Sequence, residues 1–228
     1  MKLPSLLASL GLVGCLAAMP ASAAIIDYTG YQYDDSSNVV AGDTLEWLRW
    51  DATLDLSINE ALGIFAADGW RLALHDEVAG LYQDFGFGIA LDANENTEQE
   101  VTLASNPTAE DDAANAFIEL MGQTIFNGGF PFSPLDPFSG SMALYGNDTD
   151  SDGFYAFTGV NDDFADLFTG YNAGTVFKSS DNYAFTADVG VNTLGVALVR
   201  DASASVPLSG TALLFGAGVL GAAAARRR

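Results

Sequence analysis

A chain of 228 residues is long enough for one domain with a real core, and a hydrophobic share of 49% is too high for a disordered polymer. The formal net charge is −22, a field that repels nucleic acid and excludes it as a partner, while suiting a soluble domain, a divalent-cation binder or a protein living beside polysaccharide. Cys15, close to the N-terminus, is the only cysteine, so disulfides, thiolate nucleophiles and cysteine metal sites are excluded from everything after it.

Residues 1–23 have the layout of a cleavable export signal. Lys2 supplies the positive start, Leu6 to Ala18 the apolar run, and Ala21-Ser22-Ala23 the small-x-small pattern that signal peptidase cuts. Cleavage is expected after Ala23. A second scheme stays open, because Leu12-Val13-Gly14-Cys15 resembles a lipobox that would make Cys15 the lipidated new N-terminus.

A single acidic domain is expected over residues 24–205. It holds all 30 acidic residues, answered only by Arg49, Arg71, Lys178 and Arg200. Ile25 to Tyr33 alternates partly, as a strand would, and Leu45 to Trp50 reads as a short aromatic strand. Ser57 and Glu60 form a capping box that opens a helix with Ile58, Ala61, Leu62 and Phe65 on one face, ending near Gly69. Trp70 to Leu74 reads as a connecting strand. A second helix follows at Asp76, with Val78, Leu81, Tyr82 and Phe85 in one stripe and Gly86 as its stop. A third opens at Thr108 with acids in its first turn, buries Ala113, Phe117, Leu120 and Met121, and stops at Gly122. Residues 127–140 read as a long loop. Ser141 to Tyr145, Phe154 to Thr158, Tyr183 to Ala187 and Leu194 to Val199 read as further strands. The fold class is α+β, with antiparallel strands packed against about three helices.

The C-terminal segment, 206–228, has three parts. Val206-Pro207-Leu208 comes first. Then 208–225 is uncharged, close to the roughly 20 residues that cross a bilayer core. Arg226, Arg227 and Arg228 follow, which under the positive-inside rule would hold this end in the cytoplasm and the acidic domain outside. This order resembles the PEP-CTERM sorting signal in its Val-Pro-Leu variant, although Ser209 and Gly210 depart from the common continuations and leave the processing point open. The resemblance implies an exosortase-like sorting enzyme as a partner, transient or permanent membrane attachment through the C-terminal helix, and association with exopolysaccharide.

A second resemblance lies in Leu45-Glu46-Trp47-Leu48, the Ser57 helix, Gly69-Trp70-Arg71-Leu72 and Leu198-Val199-Arg200-Asp201. This pattern looks like an uncharacterised ectodomain, with a Gly-Trp-Arg motif, that recurs in front of PEP-CTERM tails. Gly69 to Leu72 also resembles domains related to the C-type-lectin-like fold, although Ala73 stands where those carry Pro. No activity is implied by either likeness.

The sharpest internal motif is Asn147 to Gly153. Asp148, Asp150 and Asp152 alternate so that their carboxylates can converge on one hard cation, which makes them the candidate calcium ligands. An EF-hand is rejected, because its closing acid would fall on Gly159; Asp162 and Asp163 could close a different cage. The same motif also reads as an acidic turn between two strands. Trp47, Trp50 and Trp70 read as core or as stacking platforms for sugar rings. His75, the lone histidine, sits where a cap or turn residue belongs. Carboxylate pairs are too abundant to point to glycosidase chemistry. With no catalytic constellation and no cofactor motif besides the calcium pattern, the chain is expected to be a non-enzymatic surface protein, with a calcium- or carbohydrate-binding module of C-type-lectin-like fold as the alternative.

Overall fold

The computed structural model describes residues 25–103, 109–127, 138–163, 174–179 and 185–202. The signal segment with Cys15, Ala21 and Ala23, the tail with Val206 to Leu208 and Arg226 to Arg228, and the cap at Thr108 lie outside the described residues. Among those described, no helix is long and apolar enough to cross a membrane.

In chain order the strands are β1 (Ile25–Tyr28), β2 (Tyr31–Asp34), β3 (Val39–Ala41), β4 (Leu45–Leu48), β5 (Arg71–Leu72), β6 (Gln99–Thr102), β7 (Ile125–Asn127), β8 (Phe138–Tyr145), β9 (Ala156–Asp163), β10 (Thr175–Ser179), β11 (Gly195–Val196) and β12 (Leu198–Asp201). The helices are α1 (Ile58–Phe65), α2 (His75–Asp84) and α3 (Ala109–Met121). One sheet has the order β1-β2-β3-β4-β12-β5; the other has β11-β8-β9-β10-β6, with β7 also on β8. All pairings are antiparallel except β11 with β8. The class is therefore α+β: antiparallel sheets with three α-helices.

The helices follow from local chemistry. Ser57 Oγ accepts from the Glu60 N–H, and the Glu60 carboxylate accepts from the Ser57 N–H, closing the capping box. Val78, Leu81, Tyr82 and Phe85 are buried on α2, and Ala113, Phe117, Leu120 and Met121 on α3. Gly69, Gly86 and Gly122 have φ of 85°, 75° and 91°, the left-handed conformation in which a helix ends most cheaply without a Cβ.

The strands depart further from expectation. Ile25 to Tyr33 is not one strand but a hairpin, broken at Thr29 and Gly30, both at positive φ, so that Tyr28 faces Tyr31 across a two-residue turn. The aromatic strand ends at Leu48, and Trp50 opens a 3-10 turn. Only Arg71–Leu72 of the run 70–74 pairs. The hairpin partner of β8 begins at Ala156, and within the described part of 183–187, residues 185–187, Thr186 forms an isolated bridge with Phe154 and no named strand is present. The long loop is shortened by β7 at one end and β8 at the other, and 128–137 lie outside the described residues. Strands β3, β6, β7 and β10 were not anticipated.

Residues 195–201 run through both sheets. They start beside β8 and end between β4 and β5. Val196 and Leu198 point into a cluster with Ile58, Ala61 and Trp70, while Ala197 and Val199 point into the larger core around Trp47, Trp50, Tyr82 and Phe117. Phe117 meets Trp50, Tyr82, Phe85 and Phe87 with ring centroids 5.1–5.6 Å apart. Trp47, Trp50 and Trp70 are at most 5% exposed, so all three are core and none presents a face to a sugar.

Candidate functional site

The β8–β9 hairpin carries the acidic motif in its connecting turn, since Tyr145 pairs with Ala156 and the residues between are free to loop. Within that turn the aspartates organise backbone. Asp148 accepts from the N–H groups of Asp152 (3.0 Å) and Gly153 (2.9 Å), and Asp150 accepts from Asp152 N–H at 3.1 Å. Asp152 itself accepts from Phe154 N–H at 2.9 Å. Ser151 and Gly153 take positive φ to make the turn tight.

Asp148 and Asp150 are brought together, but the third acid beside them is Glu95. One carboxylate oxygen from each of the three lies within 4.8 Å of the others. Asp152 is not in this cluster. Asp162 and Asp163 do not close the cage either. They pair with Ser139 and Phe138 at the far end of the same hairpin, about 20 Å away at ~3.3 Å per residue.

Glu95 is 3% exposed and sits on the segment between α2 and β6. Its Oε1 accepts from the N–H groups of Thr149 (2.7 Å) and Asp150 (3.1 Å), and its Oε2 accepts from the Thr149 hydroxyl. Asn96 adds a hydrogen bond to Asp150 at 3.0 Å. Burial alone would raise the Glu95 carboxyl, but these hydrogen bonds outweigh it and hold the group below the ordinary glutamate range.

The segment that presents Glu95 is clamped from three elements. His75, the first residue of α2, donates from Nε2 to the Leu91 carbonyl at 3.0 Å rather than capping the helix. Gln99 accepts from Asp92 N–H at 2.6 Å and donates to the Ala90 carbonyl at 2.8 Å. Lys178, on β10 opposite Gln99, is 2% exposed. Its ammonium donates to the carbonyls of Asp92 (2.7 Å) and Asn94 and to the Thr97 hydroxyl (2.9 Å). Three acceptors match three N–H donors, which only the protonated amine has. Burial pulls its pKa below the usual lysine value, and the charges of Asp92 and Glu95 oppose that pull.

The other internal cations are engaged in ion pairs: Arg49 with Asp51 (2.7 Å), Arg71 with Glu77 (2.5 Å) and Arg200 with Glu46 (2.6 Å). Lys178 differs from them in directing its ammonium to the carbonyls and hydroxyl of the 92–97 segment instead of to a carboxylate. Beneath the turn, a void of about 10 Å³ lined by His75, Glu95, Tyr145 and Lys178 is too small for any organic ligand. What the arrangement can do is hold a small hard cation in the turn.

No family matches the chain.

The same holds for curated proteins and for solved structures, neither of which shows a significant likeness to it. The reading of the site therefore rests on its geometry. Two of its members had no sequence signal strong enough to be singled out. Glu95 and Thr149 are 54 residues apart, and nothing local links them. Lys178 stood out only as the lone lysine between the two ends.

Proposed function

We propose that the chain is an exported cell-surface or extracellular-matrix protein, non-enzymatic, whose acidic α+β domain is delivered by a PEP-CTERM-type C-terminal signal. The observation that carries this reading is the framing of the domain. Among the described residues, which start at Ile25, the first strand is Ile25–Tyr28, close after the small-x-small site, and the last ends at Asp201, shortly before Val206-Pro207-Leu208. In this reading signal peptidase cuts after Ala23, an exosortase-like enzyme acts near Val206 to Leu208, the 208–225 segment holds the membrane, and Arg226 to Arg228 set its orientation. The acidic surface then suits a polysaccharide-rich exterior. The expected result is that intact mass of the exported protein shows loss of residues 1–23, and that deleting 206–228 changes its membrane passage and release. A tagged chain that stays cytoplasmic, or a deletion without effect, overturns the reading.

A second reading concerns the domain itself, a calcium-binding module, and is favoured by the convergence of Glu95, Asp148 and Asp150. Calcium takes six to eight oxygens and tolerates irregular cages, which a turn with carbonyls and three carboxylates can supply. Binding only to the folded state raises stability by about 2.7 kcal/mol at a hundredfold excess over the dissociation constant. Melting of the full-length chain should therefore rise by several degrees in millimolar calcium, and Asp148→Asn should remove the rise. An unchanged midpoint in wild type disposes of the cation version. The carbohydrate version, with a C-type-lectin-like fold, is disposed of by a glycan array without binding.

A further inference from the structure

The small void beneath the acidic turn is bounded by residues from several elements. Tyr145 closes it at the end of β8, with its strand partner Ala156, and His75, Glu95 and Lys178 complete the wall. These five stand on β8, β9, α2, the segment before β6, and β10, so the meeting of distant parts of the chain makes the space. The His75 ring lies beside Tyr145, with centroids 6.1 Å apart.

The polar side chains on this wall differ in one respect. Glu95 and Lys178 are both hydrogen-bonded, as described above. Tyr145 is not. It is 1% exposed, yet its hydroxyl has no hydrogen-bond partner among the described residues. Tyr82, equally buried, shows the ordinary arrangement: its hydroxyl pairs with Thr158 Oγ1 at 2.8 Å. A hydroxyl taken out of water without a new partner is costly, so native interiors rarely leave one so. Burial holds the Tyr145 phenol well above the ordinary tyrosine range, which keeps it a neutral O–H able to donate.

Size and charge together select what completes that hydroxyl. At about 10 Å³ the void has room for one water-sized molecule and nothing larger. The Lys178 ammonium on its wall opposes a cation, and the Glu95 carboxylate opposes an anion such as chloride. A neutral molecule that both donates and accepts suits both. We propose that the void holds one ordered water, which accepts from the Tyr145 hydroxyl and donates to the Glu95 carboxylate. Oε1 of Glu95 accepts two hydrogen bonds from the turn and Oε2 only one, so Oε2 keeps room for the water. His75, with Nε2 used on the Leu91 carbonyl, has Nδ1 as a second acceptor. Three partners are what a buried water ordinarily finds. The buried acid is then held from both sides, by the turn above and, through the water, by the core below. Neither export nor calcium in the turn is needed for this.

A high-resolution crystal structure of the full-length chain should show one water in the void, within hydrogen-bond distance of both the Tyr145 hydroxyl and the Glu95 carboxylate. Thermal melting of the same chain supplies an independent sign. With the water present, Tyr145→Phe removes its donor and should lower the midpoint by about 2–4 °C. Tyr82→Phe, which loses a direct bond, should move the midpoint in the same direction. With no water present, the Tyr145 hydroxyl is a buried group without a partner, and its removal should leave the midpoint unchanged or raise it. An unchanged or raised midpoint in Tyr145→Phe overturns the proposal, whatever Tyr82→Phe does. So does a crystal structure with the void empty, or with density there that refines as an ion.

Discussion

Lys178→Met is expected to lower the stability of the domain by about 3–5 kcal/mol, a shift in melting midpoint of roughly 6–20 °C for a domain of this size. Methionine keeps most of the buried stem and removes only the charge and its three donors. The carbonyls of Asp92 and Asn94 and the hydroxyl of Thr97 then lose the partner that orders them. The two carbonyls are backbone, so their loss is felt along the whole 91–98 segment and not at one side chain. Lys178→Arg should not rescue, because a planar guanidinium cannot point its donors at three acceptors converging on one nitrogen. Hydrogen exchange at residues 92–98 should accelerate in the variant far more than in α3. If exchange there is unchanged, Lys178 does not hold the segment, whatever happens to the melting temperature.

Glu95→Gln carries the second large effect, about 2–4 kcal/mol at neutral pH, because hydrogen bonds to a buried carboxylate are among the stronger ones and the amide reproduces only part of them. Its pH dependence is the sharper test. The folded-state carboxyl lies below its ordinary value, so the native state holds the proton less tightly than the unfolded chain does. The stabilisation it contributes is therefore complete above about pH 5, beyond the unfolded value near 4.3, and disappears as pH falls through the lower folded value. Urea midpoints of wild type and Glu95→Gln should differ most at pH 6–7 and converge below about pH 4. Parallel curves down to pH 3 would show that the carboxylate does not cap the turn in the way its distances indicate.

These two residues also mark where sequence reasoning stops. The helices were legible as elements with buried residues on one face, and α1 with its Ser57–Glu60 cap, because these are set by residues three or four positions apart; the start of α2 was not, since the helix begins at His75 with Leu74 as its N-cap. The Asp148 turn was legible too, since alternating acids before a glycine make a turn whatever surrounds them. Asp152 stands apart from the grouping of Glu95, Asp148 and Asp150, its carboxylate accepting from the Phe154 N–H. Glu95 meets the turn across 54 residues and Lys178 meets the 92–97 segment across 81 to 86, separations that leave no local pattern. The first hairpin was missed for a different reason: Thr29 takes φ of 50°, a conformation for which a β-branched residue gives no warning. Strands β3, β6 and β7 are three or four residues long, too short for alternation to rise above composition.

The place of β12 bears on timing. It sits inside the first sheet, bonded to β4 on one side and β5 on the other, and Arg200 reaches Glu46 across 154 residues of chain. Until that late strand is available, β4 and β5 have no neighbour to join them, and the two halves of the hydrophobic interior cannot close over Leu198 and Val199. Contacts of such long separation form slowly and late. A ribosome that has made the first 190 residues has therefore made a polypeptide that cannot yet complete this fold.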